Sequence, residues 1–569
     1  MSDKKATEER FPGLPLVIGV TGHIDLLDSQ SQREALEHRV TSIFADLKTT
    51  YRHTPLVLLS PLAEGADRLV ARIALEKKLR LVVPLPMPQE LYEADFKTEE
   101  SKREFKRLLE RAESVFTLTT AEGERNEQYA QVGAYIARHS HILIALWDGL
   151  PPEKVGGTAQ IVQFRLKGVP EPYEPRATSL DLVASGPLYH VVTQSKSNTN
   201  TEGKAGELDR HYPGGYKDRA TAEAAYHSIY SRMDGFNRDS RRFDELLARR
   251  REKSKALLLS RDRESLSAPL KRIMDCYAEA DSLAGLFQTF RLCVTTVLFV
   301  LALVGVAFLQ AYSDLDTEKW PLAVYTEKWS LVVYIVFLGL AYLIYWRARR
   351  NELHTKYLDY RALAEGLRVQ FFWRLAGLKD SVADHYLRRQ RSELDWIRKA
   401  IRVWTLLIEL KEKPRGGTAS GSEPLRLVLG QWVEAERGYF EQRLKSNERY
   451  LKWLKLGVYV LFVVSLLLSF IQLAVARSNP LIFSMGMLLV VAGLMAAYGE
   501  RRALAEQIKQ YAQMGTIFAL AGQGLNALLD AGEHEQALDL IVELGKEALR
   551  ENGDWVLLHR ERDVEVPNL

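Results

Sequence analysis

Cysteine is nearly missing from this chain: only Cys276 and Cys293 occur in 569 residues. Two thiols exclude a disulfide framework and a cysteine zinc cluster, and they fit the reducing, cytoplasmic side of a membrane. The opening stretch, residues 1–11, is polar and lacks the apolar core of a signal peptide, so no cleaved leader is expected. No basic stripe with interleaved aromatics stands out, which disfavours nucleic acid as a partner despite a formal net charge of +4. The gap with the largest consequence is local. Asp, Glu, Lys and Arg are absent from four long apolar runs, residues 293–312, 329–346, 456–475 and 481–498.

Each run has roughly the 17–25 residues needed to cross a hydrocarbon core. A buried helix of a large soluble protein would account for one or two of them, not for all four. Flanking charge gives an orientation. Arg291 precedes the first run, Arg347, Arg349 and Arg350 follow the second, Lys452 and Lys455 precede the third, and Arg501 and Arg502 follow the fourth. The turn between the first two carries Asp314, Asp316, Glu318 and Glu327 against Lys319 and Lys328, and the turn after the third has one basic residue, Arg477. The positive-inside rule then puts both termini and the long middle segment in the cytoplasm. Nothing within the runs marks a proton relay or a charged selectivity filter. Their polar residues, among them Thr295, Thr296, Ser465, Ser469, Gln472 and Ser484, are expected to bond backbone carbonyls or pack between helices. Four helices enclose too little space for a wide aqueous pore, so a pore would require a homo-oligomer.

A repeat organises the apolar half. Arg361-Ala362-Leu363-Ala364-Glu365 recurs as Arg502-Ala503-Leu504-Ala505-Glu506, and each copy follows one apolar hairpin. The spacing puts Arg361 with Glu365, and Arg502 with Glu506, on one helix face. Such pairs either close within the helix or exchange between subunits at an interface near the membrane. In the fourth run Gly486, Ala492, Gly493, Ala496 and Ala497 offer small-residue surfaces for close helix contact.

Residues 12–195 alternate between β-rich and amphipathic stretches. Strands are predicted at 16–20, 56–59, 79–85, 115–118, 142–147 and 189–193, and continuous apolar strands between helices predict a parallel sheet covered on both faces. Three loops fall at the carboxyl ends of these strands, where open α/β sheets bind ligands and helix amino termini attract phosphate. Gly19, Thr21, Gly22 and His23 belong to the first; Glu64, Gly65, Asp67 and Arg68 to the second; Asp148, Gly149, Gly156, Gly157 and Thr158 to the third. Singly, each is no more than a glycine turn. On one edge of one sheet they make a phosphate or nucleotide pocket. Amides around residues 21–23 and 156–158 would hold phosphate oxygens, Asp67 or Glu64 would accept from ribose hydroxyls, Arg68 would pair with phosphate, and His23 would donate to an oxygen. Asp148 serves as a loop cap as readily as a ligand contact. Beyond this domain, residues 196–220 read as a linker, 221–290 as a charged cytoplasmic helical region, and 291–346 as the first transmembrane hairpin. Residues 347–450 form a second helical region broken near 413–424, 451–498 the second hairpin, and 499–569 a C-terminal cytoplasmic helical region.

The patterns Gly19-Val-Thr-Gly-His23, Glu64-Gly-Ala-Asp67-Arg68 and Trp147-Asp-Gly149 with Gly156-Gly-Thr158 resemble SLOG, the Rossmann-like superfamily named for the Smf/DprA and LOG proteins. The resemblance covers roughly residues 12–195 and implies binding of a nucleotide or nucleotide-derived signal. LOG hydrolases of nucleoside monophosphates carry an acid shortly after a Gly-Gly-x-Gly-Thr loop. Here Gly156-Gly-Thr-Ala-Gln160 has neither the third glycine nor the acid, which ranks binding without turnover ahead of hydrolysis. The membrane half resembles SLATT, a two-span effector module found with SLOG domains. Tyr277-Ala-Glu-Ala-Asp281 and Tyr360-Arg-Ala-Leu-Ala-Glu-Gly-Leu-Arg368 carry that likeness, together with the second copy from Arg502 to Glu551 and Trp555. It implies pore formation or membrane disruption in antiviral defence or self-killing.

The expected fold is an α/β Rossmann-like N-terminal domain plus an all-α four-helix transmembrane region with cytoplasmic helical extensions, at a bacterial inner membrane. The expected partners are a nucleotide-derived small molecule, the lipid bilayer and further copies of the chain, with no metal and no catalytic residue assigned. A membrane-anchored nucleotide hydrolase and an oligomeric membrane scaffold are the competing expectations.

Overall fold

The structure, a computed structural model, describes residues 13–26, 29–118, 124–152, 154–173, 186–196, 203–260, 262–314, 323–386, 394–409, 422–475 and 478–560. The tail 1–11, Asp316, Glu318, Lys319, Arg477 and most of the polar breaks at 196–202 and 413–424 lie outside the described residues. The chain divides into two compact units. One comprises Met1–Ala248, Leu266–Cys276 and Ser381–Gly416; the other comprises Arg249–Ser265, Tyr277–Asp380 and Gly417–Leu569.

The first unit is built on a seven-stranded sheet formed by β1 (Leu16–Gly22), β2 (Leu56–Leu59), β3 (Arg80–Leu85), β4 (Ser114–Thr117), β5 (Ile142–Trp147), β6 (Leu188–Val192) and β7 (Leu208–His211). Their order is β4-β3-β2-β1-β5-β6-β7. Every pairing is parallel except β6 with β7. The β2 residues are buried along their whole length, as befits strands covered on both faces. Helices α1 (Gln30–Thr50), α2 (Ala66–Glu76), α3 (Gln89–Glu93), α4 (Glu99–Glu110), α5 (Arg125–His139), α6 (Thr158–Lys167) and α7 (Arg219–Arg242) belong to the same unit. Strand β7 falls inside the stretch that the sequence assigns to a linker. It is a half-buried antiparallel edge strand, Leu-Asp-Arg-His, with neither an apolar run nor alternation to announce it.

The remaining helices are α8 (Asp244–Leu258), α9 (Ala268–Asp314), α10 (Ala323–Arg350), α11 (Leu353–Leu375), α12 (Asp395–Glu409), α13 (Ser422–Val428), α14 (Ala435–Ala474), α15 (Asn479–Arg501), α16 (Leu504–Ala531) and α17 (His534–Arg560). Of these, α12 returns to the first unit. Phe236 of α7 meets Trp396 and Trp404 at centroid distances of 6.2 and 5.9 Å, and Arg138 of α5 pairs with Asp384 at 3.0 Å just before α12. The first unit therefore takes part of its core from a segment far downstream of residues 12–195.

Arg165 of α6 is fully buried at the C-terminal end of α5. Its guanidinium donates to the carbonyls of Ala137 at 2.7 Å, Ser140 at 2.9 Å, His141 at 2.5 Å and Pro187 at 3.4 Å. A cation there satisfies the last helix carbonyls, which have no intrahelical donor, and meets the negative end of the helix dipole. Arg165→Met strips those donors away and is expected to cost on the order of 3 kcal/mol. The denaturant midpoint of the full-length protein reads the effect. An unchanged midpoint would show that the guanidinium is dispensable.

In the second unit, four helices are long and apolar enough to cross a membrane, consistent with a multi-pass membrane protein. They are carried by α9, α10, α14 and α15, and the most apolar windows are only 11%, 0%, 6% and 6% buried within the protein. A soluble bundle would hide such surfaces in its core; lipid is the solvent that suits them exposed. Their polar side chains bond backbone. Ser465 donates to the Met485 carbonyl at 3.2 Å, Ser469 to Ser465 at 2.9 Å, and Gln310 to Phe483 at 3.1 Å. Away from the spans an aromatic core joins α11, α16 and α17 to the π-helical turn Leu429–Glu434 that leads into α14. Phe372 stacks on Trp432 at 5.3 Å, Trp432 meets Phe518 edge-on, and Trp373 donates to the Ile541 carbonyl at 3.3 Å. Gly545 is required there, since a Cβ would strike the Trp373 ring.

Candidate functional site

Strand β1 pairs with β2 on one side and β5 on the other, so the sheet has its topological switch point between β1 and β5. Loops leaving these two strands part in opposite directions, the arrangement in which open α/β sheets form a ligand crevice. His23 and Asp148 clasp its two sides. The His23 amide donates to Leu146 at 3.1 Å, and its Nε2 accepts from the Asp148 amide at 3.1 Å while lying 3.2 Å from the Asp148 carboxylate. Asp148 also accepts from the Leu150 amide at 3.2 Å, closing its own loop. Thr21 and Gly22 end β1. A Cβ on Gly22 would strike Ala66 and lie 2.8 Å from the Leu146 carbonyl, so glycine lets α2 approach the strand. Gly65, with φ at +75°, admits no side chain either: a Cβ would lie 2.7 Å from the Ile24 carbonyl. Gly19 has a different place. It lies within β1, where a Cβ would meet Ile136 at 2.7 Å, so its role is packing against α5.

Three helix amino termini reach this edge with no cap from the side chain of the preceding residue: α2 behind Gly65, α5 behind Glu124 and α6 behind Gly157, where Gln160 accepts from the Gly156 amide at 2.6 Å. In contrast, α1 is capped by Ser29, which accepts from the Gln32 amide at 3.2 Å. Uncapped amino termini present amides and positive dipole ends to an anion. Gly156, with φ at +79°, brings the start of α6 against α5, where a Cβ would lie 2.8 Å from Tyr129. Thr158 is the first residue of α6, and Gly149, with φ at +88°, faces open space.

Asp67 lies in the first turn of α2 and is only 4% exposed. The helix dipole, the Ala63 amide and Arg68 all favour its ionised form. Burial outweighs them and carries its pKa up to about 8. Arg68, expected beside a phosphate, is committed elsewhere. Its Nε donates to the Leu62 carbonyl at 3.1 Å, its Nη1 to the Ser101 carbonyl at 2.9 Å and hydroxyl at 2.7 Å, and it lies over the Phe96 ring at 4.4 Å. Glu64, a candidate for ribose, accepts from the same Ser101 hydroxyl. Both side chains are thus bound to α4, because a buried guanidinium needs converging acceptors and an aromatic face, and α4 supplies them.

Four residues that the sequence pattern does not single out join the edge. Tyr129 donates to Asp95 at 2.5 Å, Arg125 pairs with the same carboxylate at 2.5 Å, and the Tyr92 ring lies 6.1 Å from Tyr129. The Tyr92 hydroxyl is buried with no hydrogen-bond partner among the described residues; burial and then the neighbouring Asp67 push its pKa well up. Arg125 and Tyr129, four apart at the head of α5, were the available signal. Among the described residues no cluster of three or more His, Cys, Asp or Glu is placed to hold a metal ion.

No family model and no curated protein matches the chain. The crevice is therefore a candidate on its geometry.

In the second unit the repeated pentapeptides occupy unlike positions. Arg361 pairs with Glu365 and with Asp281 at 3.0 Å; Glu365 pairs with Arg368 at 2.5 Å, and Arg368 with Glu436. This ladder of alternating charges lies along a cavity of about 950 Å³. Arg502 is the C-cap that follows α15, and Ala503 adopts the left-handed conformation at φ 50°, so Arg502 and Glu506 do not share one continuous helix. Arg502 instead lies 5.7 Å over each of the Tyr450 and Tyr498 rings. The cavity also contains Glu551, which burial and then Glu365 push up to about 7.

Proposed function

We propose that the protein is a membrane effector whose SLOG-like N-terminal unit senses a nucleotide-derived signal and controls an oligomeric, SLATT-like transmembrane pore. The observation that carries this reading is the crevice at the β1/β5 switch point, rimmed by the uncapped amino termini of α2 and α6, in a chain that also carries four lipid-compatible spans. Phosphate oxygens would meet amides at the heads of α2 and α6, and Asp67, holding a proton near neutrality, would donate to an oxygen of the ligand. Charge beside the spans, with Arg291, Arg347, Arg349, Arg350, Arg501 and Arg502 at one set of ends, supports cytoplasmic termini. A bacterial inner membrane and a role in antiviral defence follow from the SLOG and SLATT likeness. Gating requires that ligand prefer one state, since equal affinity for both shifts nothing.

The test is ion or dye flux from proteoliposomes of the full-length protein, screened with nucleotides, cyclic oligonucleotides and ADP-ribose derivatives. One ligand is expected to trigger flux, and Gly157→Trp, which puts an indole at the head of α6, is expected to abolish the response with insertion intact. Flux that ignores every ligand, or a response that survives Gly157→Trp, defeats the reading.

The raised pKa of Asp67 favours one alternative, a membrane-anchored nucleotide hydrolase with Asp67 as general acid. Base release from a nucleotide panel, lost in Asp67→Asn, would put that reading first.

A further inference from the structure

The second unit holds a charged cavity that shares no residue with the candidate nucleotide site. Its lining holds eight Arg and Lys against five Asp and Glu. The excess is positive and the walls are aromatic, with Tyr277, Tyr439, Tyr511 and Trp555 among them. A volume of about 950 Å³ is that of a small-molecule site.

The charges are arranged in two tiers. On the floor, the ladder Asp281–Arg361–Glu365–Arg368–Glu436 alternates three acids with two arginines, so the positive excess of the lining lies outside it. At the exposed rim stand Arg443 and Arg502, neither within ion-pair distance of an acid among the described residues. Each is held over tyrosine faces instead, Arg443 at 5.3 Å from Tyr439 and Arg502 at 5.7 Å from Tyr450 and Tyr498. A guanidinium over an aromatic ring keeps donors for a second partner; at Arg502 one Nη1 donor reaches the Tyr498 hydroxyl at 3.4 Å and the others remain. Two guanidinium groups that line one cavity without an acidic partner among the described residues offer charge-assisted donors to a tetrahedral oxyanion. The cavity also takes in Arg291, Leu292, Val294, Thr295, Leu298 and Arg349, at the ends of the first two spans, so an apolar body has a wall to lie against.

We infer that this cavity is a second binding site, for a phosphate-bearing anion with an apolar or aromatic body, held by Arg443 and Arg502 above the Arg361–Arg368 ladder. That chemistry belongs equally to an anionic phospholipid headgroup at the membrane surface and to a soluble organic phosphate.

Full-length protein in phosphatidylcholine nanodiscs tests the site with two probes. Phosphatidylglycerol is doped into the disc and its retention read by native mass spectrometry; inorganic pyrophosphate is titrated into lipid-neutral discs by calorimetry. The expected result is binding of at least one probe that weakens about tenfold or more in the double variant R443Q/R502Q. The lysine double variant R443K/R502K, which keeps charge and loses the planar fork, is expected to fall between. Because both positions are exposed, these variants test the site and not the fold. Phosphatidylglycerol alone identifies the lipid source, pyrophosphate alone the soluble one, and both together the shared phosphate chemistry. Gly157→Trp separates the two sites, since it should leave this binding untouched whether or not the N-terminal crevice senses nucleotides. The inference is overturned when neither probe binds, when binding survives R443Q/R502Q, or when Gly157→Trp alone removes it.

Discussion

Asp67→Asn is expected to raise the melting temperature of the protein, with a gain that widens as the pH climbs from about 5 to about 9. The free carboxyl has a pKa of 3.8, and in the fold burial raises it to about 8. Between those values the unfolded chain is ionised while the folded chain keeps the proton. The unfolded state then binds fewer protons, and stability falls as the pH rises. The contribution of the protonated carboxyl is complete below the free value and is lost as the pH passes through the folded one. Asparagine cannot ionise, and its carbonyl still accepts from the Ala63 amide. A tenfold change in proton affinity is worth about 1.4 kcal/mol, so the full difference amounts to a few kcal/mol. At 4% exposure solvent screening does little to reduce it. Thermal melting of wild type and variant across that range decides the matter. Equal curves, or a variant that loses stability at high pH, would mean that Asp67 is ionised and paired in the folded protein. A carboxyl kept at a cost to stability on the candidate ligand edge also fits a functional role better than a structural one.

How far the sequence speaks depends on whether a feature is local. Strands β1, β2, β3, β5 and β6 were legible because each is an apolar run closed by turn residues, and the four membrane-length helices because four charge-free apolar runs of that length exceed what a soluble core accounts for. Strand β7 was hidden, since its polar residues serve an edge and not a core. The extent of the first unit was hidden for another reason. That Asp384, Trp396 and Trp404 return to α5 and α7 is a matter of contacts more than a hundred residues apart, which no local pattern encodes. The crevice shows the same division. Glycines at strand ends declared the switch point, and Gly22, Gly65 and Gly156 are there because a Cβ would collide with backbone or a neighbouring helix. Arg68 and Glu64 face α4, and Tyr92, Asp95, Arg125 and Tyr129 arrive from elements distant in sequence.

The repeat shows most sharply where identical letters acquire different physics. Each hairpin exits through a left-handed residue, Glu352 at φ 51° before α11 and Ala503 at φ 50° before α16. Measured from those joints the pentapeptides are out of register: Arg361 lies well inside α11, while Arg502 directly precedes its joint. Substitution should therefore affect them unequally. Arg361→Ala takes a cation from between Asp281 and Glu365, whose side chains are 16% and 9% exposed; Asp281 loses its cation and Glu365 is left with Arg368 alone. The expected loss is on the order of 3 kcal/mol. Arg502→Ala removes an exposed cation resting on two tyrosine rings, and the expected loss is below about 1 kcal/mol. Melting of both variants of the full-length protein in one detergent gives the comparison directly. Equal losses would restore the equivalence that the repeated letters imply. A large loss confined to Arg361 makes the ladder a structural floor for the cavity, on which the rim arginines can be changed without unfolding the protein.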